Sequence, residues 1–170
     1  MDDAFNGSFL IVRPTGKAQS ERLGAWTTAQ LAQATNEWRA QFRGDARVKD
    51  DTQVSDADRA AHNLVLFGDP QSNKLLARLA DKLPILWDAQ TIRVGDKTYS
   101  AASHMPVFIF PNPLNPNRYV VLNSGFTFAA AGPGSNAQQT PKLPDYAVLD
   151  LEHGDAVVLA GFFDEQWKLK

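Results

Sequence analysis

An almost unbroken apolar run, Asn63-Leu64-Val65-Leu66-Phe67, stops at Gly68-Asp69-Pro70 and gives way to Leu75, Leu76, Leu79 and Leu83. A run of strand length without polar alternation suits a strand covered on both faces of a sheet. Gly68 frees the backbone from Cβ constraint, Asp69 offers a carboxylate to cap a helix, and Pro70 suits a first helical turn. The leucines then recur at helical spacing, so their stripe faces back toward the strand just left. Such a strand-turn-helix unit is half of an α/β repeat. It predicts an α/β fold with a mixed, mainly parallel sheet and flanking helices, Rossmann-like or flavodoxin-like with three layers, to which β-hairpins are added.

With 170 residues, one domain spanning 1 to 170 is the simplest organisation and can bury a substantial core. The 17 basic and 19 acidic residues give a formal charge of −2, and the basic ones are scattered, which argues against a nucleic-acid partner. No apolar run approaches the ~20 residues of a membrane span, and Met1-Asp2-Asp3 is unlike the start of a signal peptide. Cysteine is absent, so disulfides, thiolate metal sites and a cysteine nucleophile are excluded.

Earlier in the chain, Ser8 to Arg13 reads as a buried strand closed by Pro14-Thr15-Gly16. Ser20 is placed to cap a long helix carrying Leu23, Thr27, Leu31, Ala34, Trp38 and Phe42 on one side and ending near Arg43-Gly44. Residues 45 to 56 are polar enough to predict an exposed connection, followed by a helical turn over Asp56 to Ala61. Beyond the central unit, Ile85-Leu86-Trp87, Thr91 to Val94 and Thr98-Tyr99 predict hairpins. Val107 to Phe110 and Arg118 to Leu122 predict two strands, and the prolines of residues 111 to 117 a stiff extended loop between them. Residues 132 to 145 predict a long surface loop; Ala147 to Leu149 and Ala156 to Phe163 predict further strands.

Two polar groups are the candidate ligand contacts. Asp69, Ser72 and Asn73 lie in the turn after the central strand, where α/β folds bind ligands, and their hydrogen-bonding side chains suit a neutral polar molecule such as a sugar. The turn lacks the glycines and lysine of a phosphate loop. Asn112, Asn115, Asn117, Asn123 and Ser124 form the second group, suited either to a hydroxyl-rich ligand or to turns that use their amides locally. No Gly-x-Ser-x-Gly elbow is present, and His62, His104 and His153 stand in no evident relation to a serine, so no catalytic residue is assigned. No metal-binding spacing occurs, and no cofactor is implied. Asp50-Asp51 and Asp56/Asp58 read as solvated charges. Trp26, Trp38, Trp87 and Trp167 could form a stacking platform, although Trp26 and Trp38 fit a core or docking face better.

Five segments together, DDAFNGSFLIVRPTG at 2 to 16, EWRAQFRGDARVKDD at 37 to 51, HNLVLFGDPQSNKLLARLADKLPI at 62 to 85, VFIFPNPLNPNRYVVLNSGFTF at 107 to 128 and AGFFDEQWKL at 160 to 169, resemble a region of large bacterial α/β-hydrolases. It is the C-terminal region after the catalytic domain in proteins classed as prolyl-oligopeptidase-like peptidases or esterases, including acetyl-xylan-esterase-like ones. The nucleophile elbow of such proteins lies upstream. The resemblance therefore implies an accessory module that partners the catalytic domain of its parent chain, periplasmic or secreted if that parent is exported, with no catalytic residue of its own. From the residues themselves, a carbohydrate or cell-envelope glycan module and a hydrolase in its own right are the alternatives.

Overall fold

The computed structural model describes residues 1–127 and 144–170. A short 3₁₀ turn, Asp2–Phe5, leads to β1 (Phe9–Arg13), whose apolar residues are all buried. Helix α1 (Glu21–Phe42) starts where the sequence predicts, with Ser20 Oγ accepting from Leu23 N at 3.2 Å. It ends one residue before the expected glycine: Arg43 takes a left-handed conformation (φ 56°) and its N–H closes on Arg39 O. The chain returns as β2 (Val48–Asp50), passes through α2 (Asp56–Ala61), and enters β3 (Asn63–Leu66). Ser55 and Asp58 cap α2 reciprocally, each side chain accepting from the other residue's backbone N–H. Strand β1 lies between β2 and β3 and is parallel to both, with Ile11 opposite Val48 and Leu10 opposite Leu64.

The exposed connection expected over 45 to 56 is thus corrected, because β2 occupies its middle as an edge strand. An edge strand with one neighbour needs no apolar face, so its polar sequence hides it.

After β3 the predicted helix is shorter and starts later. Helix α3 is only Lys74–Ala77, a 3₁₀ turn follows at Ala80–Lys82, and the cap is Asn73 rather than Asp69. Asn73 Oδ1 accepts from Leu75 N and Leu76 N at 3.0 and 3.1 Å. Leu75, Leu76, Leu79 and Leu83 are nonetheless all buried, so the stripe was real while the regular helix was not.

Strands β4 (Leu86–Trp87), β5 (Thr91–Val94) and β6 (Lys97–Ser100) make the expected hairpins, a separate three-stranded antiparallel sheet. The main sheet then resumes with β7 (His104–Asn112), β8 (Asn115–Leu122), β9 (Tyr146–Asp150) and β10 (Ala156–Gly161). Of the surface loop expected at 132 to 145, residues 132 to 143 lie outside the described residues; Pro144 and Asp145 lead into β9. The strand order is β10-β9-β7-β8-β3-β1-β2. The sheet is mixed, as expected, but parallel pairing is confined to β2, β1, β3 and β8, and the other half is antiparallel.

The stiff loop expected over 111 to 117 is a tight hairpin instead, with Pro111 opposite Tyr119 and Asn112 opposite Asn115. The prolines survive because each sits where the ladder is incomplete. Pairing of β7 with β9 covers His104 to Phe108 and pairing with β8 covers Phe108 to Asn112, so Pro106 and Pro111 each have one neighbouring strand. Pro116 lies within the register shift next to the turn. Proline lacks only a ladder donor, so it is tolerated at such places.

Buried apolar residues of both sheets form one cluster with Leu64, Val65, Leu66 and Phe67 wholly inside it. Helix content among the described residues is low: α1 has 22 residues, α2 six and α3 four. No described helix is long and apolar enough to cross a membrane.

Candidate functional site

Strands β1, β3 and β8 run the same way, so the segments 14–19, 67–73 and 123–127 gather at one edge of the sheet. From β1 the chain crosses to β2 on one side, whereas β3 leads on toward β8 on the other. Open α/β sheets bind ligands at this kind of divergence. Here it is shut. Gly16 N donates to Ser72 O at 2.8 Å, Gln19 N to Asp69 Oδ2 at 3.1 Å, and Gln71 Nε2 to Lys17 O at 3.3 Å. A Cβ at Gly16 would meet both Gln71 O and Ser72 O at 2.9 Å, so the two loops touch through backbone.

The predicted contacts are brought together here and turned inward. Asp69, Asn73, Asn123 and Ser124 are fully buried and Ser72 nearly so. Asp69 Oδ1 accepts from Gln71 N and Ser72 N, both at 2.9 Å, while Ser72 Oγ accepts from Asp69 N at 2.9 Å. Asn73 Nδ2 donates to Phe67 O at 2.9 Å. Asn123, left-handed at φ 55°, accepts from Gly68 N at 2.8 Å and donates to Gly68 O at 3.0 Å and Pro106 O at 3.3 Å. Ser124 Oγ donates within its own loop, to Gly125 O. This is a knot of side chains standing in for backbone partners, because irregular buried loops must satisfy their amides somehow.

Asn112, ending β7, and Asn115, opening β8, lie at the other end of that hairpin, roughly 24 Å away at about 3.4 Å per residue. Asn112 Oδ1 accepts from Leu114 N at 3.0 Å, and Asn115 Nδ2 donates to Arg59 O at 3.0 Å while its Oδ1 accepts from Asn117 N at 3.3 Å. The two polar groups therefore share no pocket. Sequence reading passed over Asn63, which accepts from Tyr119 N and donates to Ala4 O, both at 2.9 Å. Its only signal was a polar residue opening a buried run.

Compared with known proteins, the chain matches no family model, no curated protein and no solved structure.

Each histidine has a local partner. His62 Nδ1 lies 2.8 Å from Ser8 Oγ, which also accepts from Arg47 at 3.1 Å, beside a cleft of about 280 Å³ walled by Phe9 and Trp38. His104 Nδ1 sits 3.1 Å from Ser103 Oγ. His153 pairs with Asp150 at 2.7 Å, which raises the histidine's pKa and lowers the carboxyl's. No described histidine is bonded to Ser124, and no described cluster of histidine and carboxylates could hold a metal. Trp26 and Trp87 are buried; Trp38 is half-buried against Phe9 and Phe42, with ring centroids at 4.6 and 4.1 Å. A shared platform of tryptophans is not formed by Trp26 and Trp87.

The charged segment read as solvated is also corrected in part. Asp50 pairs with Arg13 at 2.6 Å, Lys49 with Asp58 at 2.8 Å, and Asp51 is buried. The Lys49 ammonium, then the Ser55 donors, hold the Asp58 carboxyl well below its usual range.

Proposed function

We propose that this chain is a non-catalytic accessory module of a bacterial hydrolase of peptidase or esterase type, which docks on and orients the catalytic domain of its parent. One observation carries the reading. Edge strand β10 is uncharged along all six residues, pairs only with β9 among the described strands, and leaves Val157, Val158 and the adjacent Phe162 at 40, 41 and 54% exposure. Edge strands of independent proteins are normally blunted by charge, cover or bulges; β10 has only the register shift between Val157 and Leu159, and exposed apolar groups that cluster serve contact. Of the two tryptophans expected at a docking face, Trp26 is buried and Trp38 half-buried, and to that helix we add β10 and Phe162 as the contact surface. In fold terms, we read β1-α1-β2 and β2-α2-β3 as a reduced Rossmann-like half, supported by their parallel pairing, joined to an antiparallel half.

Hydrogen exchange tests the docking. Amides of β10 should slow by about tenfold or more when this chain is joined to the catalytic domain encoded in the same reading frame. Unchanged exchange along β10 refutes it. The second reading, a hydrolase in its own right, draws on the Ser8–His62 contact beside Arg47. No carboxylate bonds the other His62 nitrogen among the described residues, so the orienting third member of a triad is missing. Turnover of p-nitrophenyl esters or short proline peptides by the isolated chain, abolished by Ser8→Ala with the fold retained, would favour that reading instead.

A further inference from the structure

We propose that Asn6-Gly7 is a site of spontaneous covalent modification, deamidating to aspartate and isoaspartate, and that the isoaspartate form loosens the N-terminal loop from β3. Asn6 and Gly7 are both exposed and form the bend between the first 3₁₀ turn and β1. Neither the Asn6 side-chain amide nor the Gly7 N–H bonds to a described residue. No other asparagine precedes a glycine. Asn112 and Asn115 precede prolines, which have no N–H to react, and Asn63, Asn73 and Asn123 are buried with their amides engaged.

The reaction needs a following backbone nitrogen that can reach the side-chain Cγ. With glycine there, no β-carbon shields the nitrogen and the backbone turns freely. A Cβ built at Gly7 would meet nothing nearer than Asn63 Nδ2 at 3.6 Å, so the ring has room to form. The Gly7 nitrogen gives its proton to solvent hydroxide and attacks Asn6 Cγ. An N–Cγ bond forms, the Cγ–Nδ2 bond breaks, and Nδ2 takes a proton from water and leaves as ammonia. Water then opens the cyclic imide at either carbonyl, leaving aspartate or isoaspartate at position 6. One water is consumed, one ammonia is released, and nothing is oxidised or reduced.

What surrounds the bend gives the modification its consequence. Asn63, opening β3, grips the loop on both sides of it: Nδ2 donates to Ala4 O at 2.9 Å and the backbone N–H to Ser8 O at 2.8 Å. Ala4 is fully buried, so that anchor has little slack. Isoaspartate routes the main chain through Cγ and lengthens it by one carbon, ~1.5 Å. With both ends held, the added length strains one bond or the other. Either product also adds a negative charge to a chain already at −2, two residues before Ser8, whose Oγ accepts from Arg47 at 3.1 Å.

The test holds the full chain in mildly alkaline buffer beside the free peptide Ala-Phe-Asn-Gly-Ser and follows the tryptic fragment Met1–Arg13 by mass spectrometry, with isoaspartate read by enzymatic methylation. A gain of one mass unit at Asn6, ahead of every other asparagine and within about tenfold of the free peptide's rate, is expected, because an exposed bend without bonds to break resists the rotation little. Gly7→Ala, which has space for its methyl, should slow the reaction about tenfold or more. Hydrogen exchange then separates the products. The Asn63 N–H should exchange about tenfold or more faster in the isoaspartate form, and no faster in Asn6→Asp, which carries the same charge on a main chain of ordinary length. Conversion of another asparagine first, no conversion while the free peptide is consumed, or an equal rate in Gly7→Ala overturns the site. Equal protection of Asn63 in the unmodified, isoaspartate and Asn6→Asp forms overturns the loosening.

Discussion

Replacing Asn123 with alanine strikes the knot where loops 67–73 and 123–127 meet. The side chain is the recorded partner of Gly68 N–H and contributes bonds to Gly68 O and Pro106 O, all inside the protein. Leaving a buried backbone donor or acceptor unsatisfied costs about 1–3 kcal/mol each. Counting the two Gly68 groups, and a further ~1 kcal/mol because alanine tolerates φ 55° less well than asparagine, the expected loss is about 3–7 kcal/mol. A domain of ordinary stability holds about 5–15 kcal/mol, so much of the margin goes. Urea unfolding should show the midpoint falling by about 1.5–3.5 M for a slope near 2 kcal/mol/M, with the slope itself unchanged. Asn123→Gly separates the contributions: it removes the hydrogen bonds but not the backbone tolerance, and should be about 1 kcal/mol less damaging than alanine. A loss below about 1 kcal/mol for Asn123→Ala would refute the claim that this amide holds the two loops together.

Three further outcomes follow from the same geometry. Gly16→Ala drives a methyl to 2.9 Å from two carbonyl oxygens, and should cost about 1–3 kcal/mol in thermal or urea unfolding. Leu76→Ala, at a fully buried position, should cost about 2–5 kcal/mol by the same assays although its helix is only one turn long. Asp150→Asn should lower the His153 titration midpoint followed by NMR, since the Asp150 carboxylate is what raises it. The pair's contribution to stability is complete below the ordinary histidine value and fades as pH rises through the elevated one. On the Asp150 side it is complete above the ordinary carboxyl value and fades as pH falls through the lowered one. An unchanged midpoint in Asp150→Asn would show that the contact is not formed in solution.

How far the sequence could be read depended on whether burial or geometry set the element. β3 and α1 were legible because burial on both faces and a long apolar side leave periodic marks, and Ser20 and the 56 to 61 turn because caps act locally. β2 was illegible since only an apolar pattern betrays a strand and its edge position demands none. The cap after β3 was misplaced because Asp69 and Asn73 are both good caps, and what decides between them is long-range: Gln19 N reaches Asp69 while Phe67 O takes the Asn73 amide. Asn123 and Asp69 stand out in the sequence as polar residues beside buried strands, and the structure turns both inward. For both, a ligand and a local turn stood as alternatives, because composition cannot tell an amide aimed at solvent from one aimed at a neighbouring loop.

The division of the main sheet into two halves sets a temporal order for folding. Strands β7 and β8 are separated by a two-residue turn and β9 and β10 by a short one, so each pair closes a small loop, whereas β1 meets β3 only after α1, β2 and α2 have been threaded between them. Small loops close at lower entropic cost. The hairpins are accordingly expected to assemble first and to present a ready-made margin at β8, onto which β3, then β1 and β2, are laid. Substitutions in the β7–β8 hairpin will slow refolding, while those at the β1–β2 boundary will chiefly hasten unfolding.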